Sequence, residues 1–312
     1  MDTLSQFLAL GRMRVSLDVQ CQLSGSYLIP HEPSAQGEAP FHLVLSGECQ
    51  LRTAQGIIRM RPGDFVLLPR GEAHDVLSLS LSSKRTQGKA HVRNVRRESA
   101  LPLKGNVKRA ESAELDLLCG RFLCDPSAGT ILLRALPRTM QVNLLEAATG
   151  DSLHTLIDLL RHEATHALPG SIEIVNALGR AVLTLALREF GAVESGQAHL
   201  LTLLSDDRLG PSIKAVLDDP SEDWTVDSLG KRVAMSRATY ARQFQNKAGM
   251  PVGDFLLRVR IMKACELIKH SRRGLADIGQ NVGYQSEAAF GKAFQKIIGQ
   301  SPGRWRRARQ AL

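Results

Sequence analysis

Residues 236–244 read SRATYARQF and residues 286–294 read SEAAFGKAF. Each stretch opens on a serine suited to capping a helix, Ser236 and Ser286, and each carries two aromatics four positions apart. Tyr240 with Phe244, and Phe290 with Phe294, share one helical face, so each segment is predicted to be a helix pinned by that face to a core of its own. The remaining positions are free to face outward. A short apolar helix and a tight turn precede each segment: Val226, Leu229 and Val233 before the turn Ala234-Met235, then Ile278 and Val282 before Gly283-Tyr284. The two serines stand 50 positions apart, too far for one helix-turn-helix and suited to two joined by a helix. Val252 to Lys269 supplies that joining helix, with Phe255, Leu256, Val259, Met262, Leu267 and Ile268 as apolar positions and a basic opposite side.

Charge points to the partner. From Ser228 onward there are 17 Lys and Arg against Asp254, Glu266, Asp277 and Glu287, a local net charge of +13 in a chain whose total is +9. An excess confined to the repeat is the footprint of a polyanion, and double-stranded DNA is the expected partner. Two rigidly joined helix-turn-helix units would enter successive major grooves, about 34 Å apart.

The run Arg260-x-x-x-Ala264-x-x-Leu267-Ile268, then Ile278-Gly279-x-x-Val282-Gly283-Tyr284-x-Ser286, then Phe290-x-x-x-Phe294-x-x-x-x-Gly299-x-Ser301-Pro302-x-x-Trp305-Arg306 closely resembles the signature of the AraC/XylS family of transcription regulators. By that resemblance the base-reading positions are Arg237, Ala238, Ala241 and Arg242 in one helix, and Glu287, Ala288, Gly291 and Lys292 in the other. Arg pairs with guanine and Glu accepts from cytosine, so Arg242 and Glu287 are the sharper candidates. Small residues at Ala238, Ala241, Ala288 and Gly291 imply few direct base contacts, with more of the recognition resting on phosphates and DNA shape.

Upstream, from Cys21 to about Val76, short alternating segments separated by turn residues signal an all-β unit. Residues 63–74, GDFVLLPRGEAH, fill every position of Gly-x5-Pro-x-Gly-x2-His and resemble the second motif of the cupin barrel. The fold expected is α+β in two domains: a cupin-like β-barrel with a helical hairpin, then an all-α domain with two helix-turn-helix units. Boundaries fall at 1–190 for the sensor and dimerisation domain, 191–205 for a linker, and 206–312 for the DNA-binding domain. Within the first, residues 78–112 read as a long, basic flexible loop, Ile131 to Pro137 as the close of the β region, and 151–190 as a helical hairpin broken at Pro169-Gly170. In this family such helices commonly form a homodimer seam.

Cupins often bind a metal through His-x-His, a Glu and a fourth His. This chain offers the separate His31, His42 and His74, and a metal-free pocket of hydrogen-bonded histidines is the preferred reading, with no cofactor. Five cysteines without finger spacing suit a reducing cytoplasm and no disulfide scaffold. No apolar run reaches the roughly 18–20 residues of a membrane helix, and no secretory leader is read at the N-terminus. Two inputs stay open: a small-molecule effector in the barrel, or an oxidant acting on Cys21 and Cys119, with Arg121 expected to lower the Cys119 pKa. Both positions match cysteines expected in the subgroup that includes reactive-chlorine responders. The chain is thus expected to be a regulator, more often an activator in this family and then a partner of RNA polymerase, rather than an enzyme. The alternative is a metal-dependent cupin enzyme fused to a DNA-binding domain.

Overall fold

The computed structural model describes residues 2–11, 13–80, 93–95, 101–107, 112–124, 128–146, 150–166, 168–192, 200–204 and 206–310. The chain divides into two compact units.

One unit, residues 14–123 and 137–190, is the barrel with its helical hairpin. Strands β1 (Arg14–Leu23), β3 (Glu38–Gly47), β6 (Asp64–Leu67), β8 (Arg93–Val95), β9 (Leu103–Gly105), β10 (Leu115–Leu123) and β11 (Met140–Asn143) form a seven-stranded sheet in the order β11-β6-β3-β10-β1-β9-β8. Strands β2 (Leu28–His31), β4 (Cys49–Thr53), β5 (Gly56–Met60) and β7 (His74–Leu77) form a second sheet in the order β2-β7-β4-β5. Side chains from both sheets build one buried core, including Cys21, Leu23, Val44, Cys49, Leu51, Met60, Val66, Val76, Leu117 and Cys119. Strand period decides this sorting: Val44 and Val66 point into the core between the sheets, while their neighbours Phe41 and Phe65 stack on each other with ring centroids 5.5 Å apart. Gly120 permits the tight crossing of β10 between β1 and β3, since a Cβ there would lie 2.5 Å from the Ser16 carbonyl oxygen. The hairpin consists of α3 (Gly150–His166) and α4 (Ser171–Ala192), joined through Gly170 at φ +87°. It is tied to the sheet where Asn176 Oδ1 accepts from the Val15 amide at 2.9 Å.

The other unit contains α1 (Thr3–Gly11), α2 (Ala128–Ala135), α5 (Leu200–Leu204), α6 (Gly210–Asp218), α7 (Val226–Arg232), α8 (Arg237–Ala248), α9 (Val252–His270), α10 (Leu275–Asn281), α11 (Glu287–Ile298) and α12 (Pro302–Gln310). Helix α9 packs against α2, α6, α8, α10, α11 and α12, and so serves as the spine of the repeat.

Four expectations change. Met1–Met13 and Cys124–Leu136 cluster with the C-terminal helices and not with the barrel, although both lie within 1–190. Thr3 Oγ1 donates to the Leu204 carbonyl at 3.0 Å, and Gln6 hydrogen-bonds Asp218, which anchors α1 there. Residues 131–135, expected as strand, lie in helix α2; a short apolar run carries no period that separates the two states, and β11 closes the sheet instead. Residues 200–204, expected as linker, form helix α5 with Leu200, Leu201, Leu203 and Leu204 all buried. Part of the expected 78–112 loop is sheet: Leu103–Gly105 runs parallel to β1 and antiparallel to Arg93–Val95, with Leu101 and Leu103 buried. Residues 81–92, 96–100 and 108–111 of that loop lie outside the described residues, as do 193–199 and 205 of the expected linker.

Candidate nucleic-acid interface and sensor core

Helices α8 and α11 are built alike. Ser236 Oγ accepts from the Thr239 amide, Ser286 Oγ accepts from the Ala289 amide, and Gly249 and Gly299 close the two helices in the left-handed conformation. Tyr240, Phe244, Phe290 and Phe294 are all fully buried. The rings pair at 5.9 Å in α8 and 5.7 Å in α11; the first pair reaches Phe255 as well, and the second reaches Tyr284 and Trp305. Because those faces are committed to the core, Arg237, Ala238 and Arg242 are exposed on α8, as are Glu287, Ala288 and Lys292 on α11; Ala241 and Gly291 are half-buried between them. The structure therefore places every base-reading candidate on the outer side of its helix. Among the described residues Arg237, Arg242, Glu287 and Lys292 have no hydrogen-bond or ion-pair partner within the chain. By contrast Lys231 pairs with Asp227, Lys247 with Asp206 and Lys263 with Glu266. A Cβ added at Gly291 would meet nothing within 4 Å, so that position is open toward solvent.

The frame behind these helices is held by two polar devices, the first buried and the second half-buried. Ser212 Oγ donates to the Leu209 carbonyl at 2.7 Å, so the Tyr240 hydroxyl, 2.9 Å away, donates to Ser212. Arg260 donates from Nε to the Pro220 carbonyl at 2.8 Å and from Nη2 to the Glu222 carbonyl at 2.9 Å. Its guanidinium also lies 5.7 Å from the Tyr284 ring centroid. Gly283, at φ +87°, has no room for a Cβ beside that guanidinium.

In the barrel, Cys21 and Cys119 sit two residues out of register on paired strands, Val19 opposite Cys119 and Cys21 opposite Leu117. Both thiols are buried. Interaction with the Cys119 thiol lowers the Cys21 pKa against the opposing effect of burial. The same interaction, reinforced by burial, pushes the Cys119 pKa well up. Arg121 does not supply the expected positive charge to Cys119. It donates to Asp18 at 2.8 Å and to Glu38 at 2.8 Å, and these two carboxylates neutralise it. Next to this pair, His42 Nδ1 lies 3.1 Å from Cys119 Sγ, and His42 Nε2 lies 2.8 Å from His74 Nε2. His31 stacks on His74 with centroids 4.6 Å apart. The structure thus brings together all three histidines that the sequence named separately.

Comparison with known proteins decides the family. The cupin family model matches residues 2–192 and a helix-turn-helix domain model matches 229–308. The chain belongs to the AraC-type family of cupin-bearing, DNA-binding transcription regulators. An uncharacterised HTH-type transcriptional regulator of Haemophilus influenzae is 30% identical over 99% of both chains. The HTH-type transcriptional regulator MtrA of Neisseria gonorrhoeae is 31% identical over 98% of both. The RCS-specific HTH-type transcriptional activator RclR of Escherichia coli is 30% identical over 99% of both. Among the described residues no helix is long and apolar enough to cross a membrane.

Three features of this family member escaped sequence reasoning. Ser212 and Arg260 act through partners 28 to 40 positions away, and no local pattern announces those contacts, although Arg260 opens the family signature. The His42–Cys119 contact joins residues 77 apart; the signal that could have found it is strand alternation, which places His42 on the core side together with Val44.

Proposed function

We propose that the outward faces of α8 and α11 read double-stranded DNA in two major grooves. Arg237, Ala238, Ala241 and Arg242 form the first reading face, and Glu287, Ala288, Gly291 and Lys292 the second, with Ser236 and Ser286 fixing where each helix starts. The observation that carries this reading is that the charged side chains on both faces are exposed and unpartnered in the chain, while both helices are locked from behind by buried aromatics. Arg242 contacts guanine and Glu287 cytosine; the small residues let the backbone approach the duplex closely, so DNA shape contributes to specificity. Footprinting on a selected operator tests it: Arg242→Ala should cost roughly 1–3 kcal/mol of discrimination at one base pair. Uniform weakening on every sequence would instead make Arg242 a phosphate contact.

The sensor input proposed is oxidation of Cys21 and Cys119. A two-electron oxidant such as hypochlorous acid breaks both S–H bonds and forms one S–S bond; the oxidant is reduced to chloride, and water and one proton leave. Diagonal neighbours on antiparallel strands stand about 7–8 Å apart, beyond the roughly 4.4–6.8 Å between disulfide-linked Cα atoms, so closure draws β1 and β10 together. β1 begins directly after α1, and β10 runs directly into the segment bearing α2, so both strands lead by the chain into the unit that carries α8 and α11. The name of the RclR relative, an RCS-specific transcriptional activator, supports the oxidant class and supports activation; RNA polymerase is the partner proposed for that activation. Cys21→Ser and Cys119→Ser should each retain the DNA affinity of reduced protein and lose the response to hypochlorite in a mobility-shift assay; two variants that respond as wild type end this reading. A second copy of the chain is the partner proposed for the hairpin, where Leu159, Leu168 and Ile172 are exposed at 44%, 52% and 76%.

A further inference from the structure

We propose that His31, His42 and His74 form a three-nitrogen binding site for a borderline divalent cation of the zinc class, with the two barrel sheets joined through the ion. The site is assembled by topology and not by a motif. His31 on β2 is the register partner of His74 on β7 in the four-stranded sheet, while His42 projects from β3 of the seven-stranded sheet. One ring nitrogen from each residue falls in a set whose members all lie within 4.8 Å of one another. The donor set differs from the His-x-His, Glu and His ligands common in cupins, since no second histidine flanks His42 and a residue of β2 takes part.

Three observations bear on what the cluster holds. First, the outer contacts of the rings already orient them as ligands. The His74 Nδ1–H donates to the Glu72 carbonyl at 2.8 Å, leaving its Nε2 with a free lone pair that faces His42. His42 Nδ1 is engaged by Cys119 Sγ at 3.1 Å, so its Nε2 is the nitrogen aimed at the cluster. Second, the buried Nδ1 of His31 has no hydrogen-bond partner, an arrangement that costs free energy in a closed protein core. Third, the three donors are all imidazole nitrogens, and clustered imidazoles suit zinc, copper or nickel over calcium or magnesium.

The two Nε2 atoms of His42 and His74, 2.8 Å apart, stand slightly too close for a shared tetrahedral ion. Two nitrogens on such an ion lie about 3.3 Å apart, so a shift of roughly half an ångström admits it. Without an ion the same short contact is a neutral hydrogen bond in which one ring donates and the other accepts. With an ion both lone pairs point at the cation, and the His42 proton is fixed on Nδ1, donating to Cys119 Sγ. His31 is partly exposed, which gives the site an entry path and leaves the fourth position for water or a small anion. The chemistry of the proposed effector is therefore that of an aquated divalent ion, and its consequence is a clamp that adds to the packing and the few hydrogen bonds, such as Gln141 Nε2 to the Arg59 carbonyl at 3.0 Å, that already join the two sheets.

This inference does not depend on the DNA-reading helices, so its test needs no DNA. The reduced full-length protein, freed of metal with a chelator, is titrated with Co²⁺ and with Zn²⁺. The expected result is one equivalent bound, with the intense visible bands of a low-coordinate cobalt site bearing nitrogen ligands, and a zinc-dependent rise in melting temperature. His74→Gln and the rim variant His31→Gln should each weaken binding by at least ~100-fold and abolish the zinc-dependent rise. The rim variant keeps the test valid should the core variant fail to fold. His162 and His166 stack at 4.2 Å on an exposed face of α3 and offer a competing surface pair; replacing both by Gln should leave the stoichiometry at one. The proposal is overturned if no stoichiometric binding occurs, if binding survives in His31→Gln and His74→Gln, if it vanishes on loss of His162 and His166, or if sulfur-to-cobalt charge-transfer bands place a cysteine among the ligands.

Discussion

Removing the Tyr240 hydroxyl tests how firmly helix α8 is held from behind. Tyr240 and Ser212 are both completely buried. The direction of their hydrogen bond follows from the Ser212 proton, which is already given to Leu209. Tyr240→Phe therefore removes one donor while Ser212 keeps its own bond and retains only an unfilled lone pair. The expected cost is about 1 kcal/mol, the net value of a buried neutral hydrogen bond. Ser212→Ala is the harsher change. It leaves the Tyr240 O–H in the core without an acceptor, and a stranded buried donor costs about 1–3 kcal/mol. Adding Tyr240→Phe to Ser212→Ala removes that stranded donor, so the double variant should be no less stable than Ser212→Ala alone, and its loss should fall short of the sum of the two single losses. Urea denaturation of the four proteins, with comparison of midpoints at constant slope, measures the cycle. Strict additivity, or a Tyr240→Phe variant costlier than Ser212→Ala, would refute the assignment of Tyr240 as donor and with it this account of how α8 is anchored.

Other expectations are simpler. Gly291→Ala should stabilise the protein by up to ~1 kcal/mol in thermal unfolding, because Gly291 lies inside a helix with open space at its Cβ position; the same methyl faces the proposed DNA surface, so operator affinity should fall while stability rises. Ser236→Ala and Ser286→Ala should each cost about 1 kcal/mol by loss of a cap, and equal stability to wild type would contradict the capping geometry. Arg260→Lys should lower stability by about 1–2 kcal/mol, since one ammonium cannot serve the Pro220 and Glu222 carbonyls and also stack on Tyr284 as the planar fork does. Leu159→Glu with Ile172→Glu should shift any sedimenting dimer to monomer without loss of helix content, and an unchanged mass would remove the hairpin from the interface.

The repeat was the most legible part of the sequence because its information is local. Capping serines and aromatics four apart act within a dozen residues, and the helices start where those residues say. The cupin motif ending at His74 was legible for the same reason. Reading failed where the deciding contacts are distant or the segment is short. Leu200–Leu204 lies among small and polar residues, and its burial depends on helices elsewhere in the chain. Ile131–Leu136 is apolar in a way that suits strand or helix equally. Leu103 makes its strand by pairing with β1 more than 80 positions earlier, a parallel contact with no local turn to announce it. Arg121 looked like a cation available to Cys119 until its carboxylates, 103 and 83 positions away, entered the picture. The same logic hid the histidine cluster: three residues on three strands have no shared spacing, and only the register of β2 with β7 brings two of them side by side.

The central claim is that two helices, each locked by buried aromatics, read neighbouring turns of one duplex. Selection of bound sequences from random DNA, followed by footprinting of the reduced protein, tests it most directly. The account predicts two protected major-groove segments about one helical turn apart, with base preference lost in the first on Arg242→Ala and in the second on Glu287→Ala. Binding that falls with salt yet selects no sequence, or a single protected groove unaffected by either substitution, would contradict it.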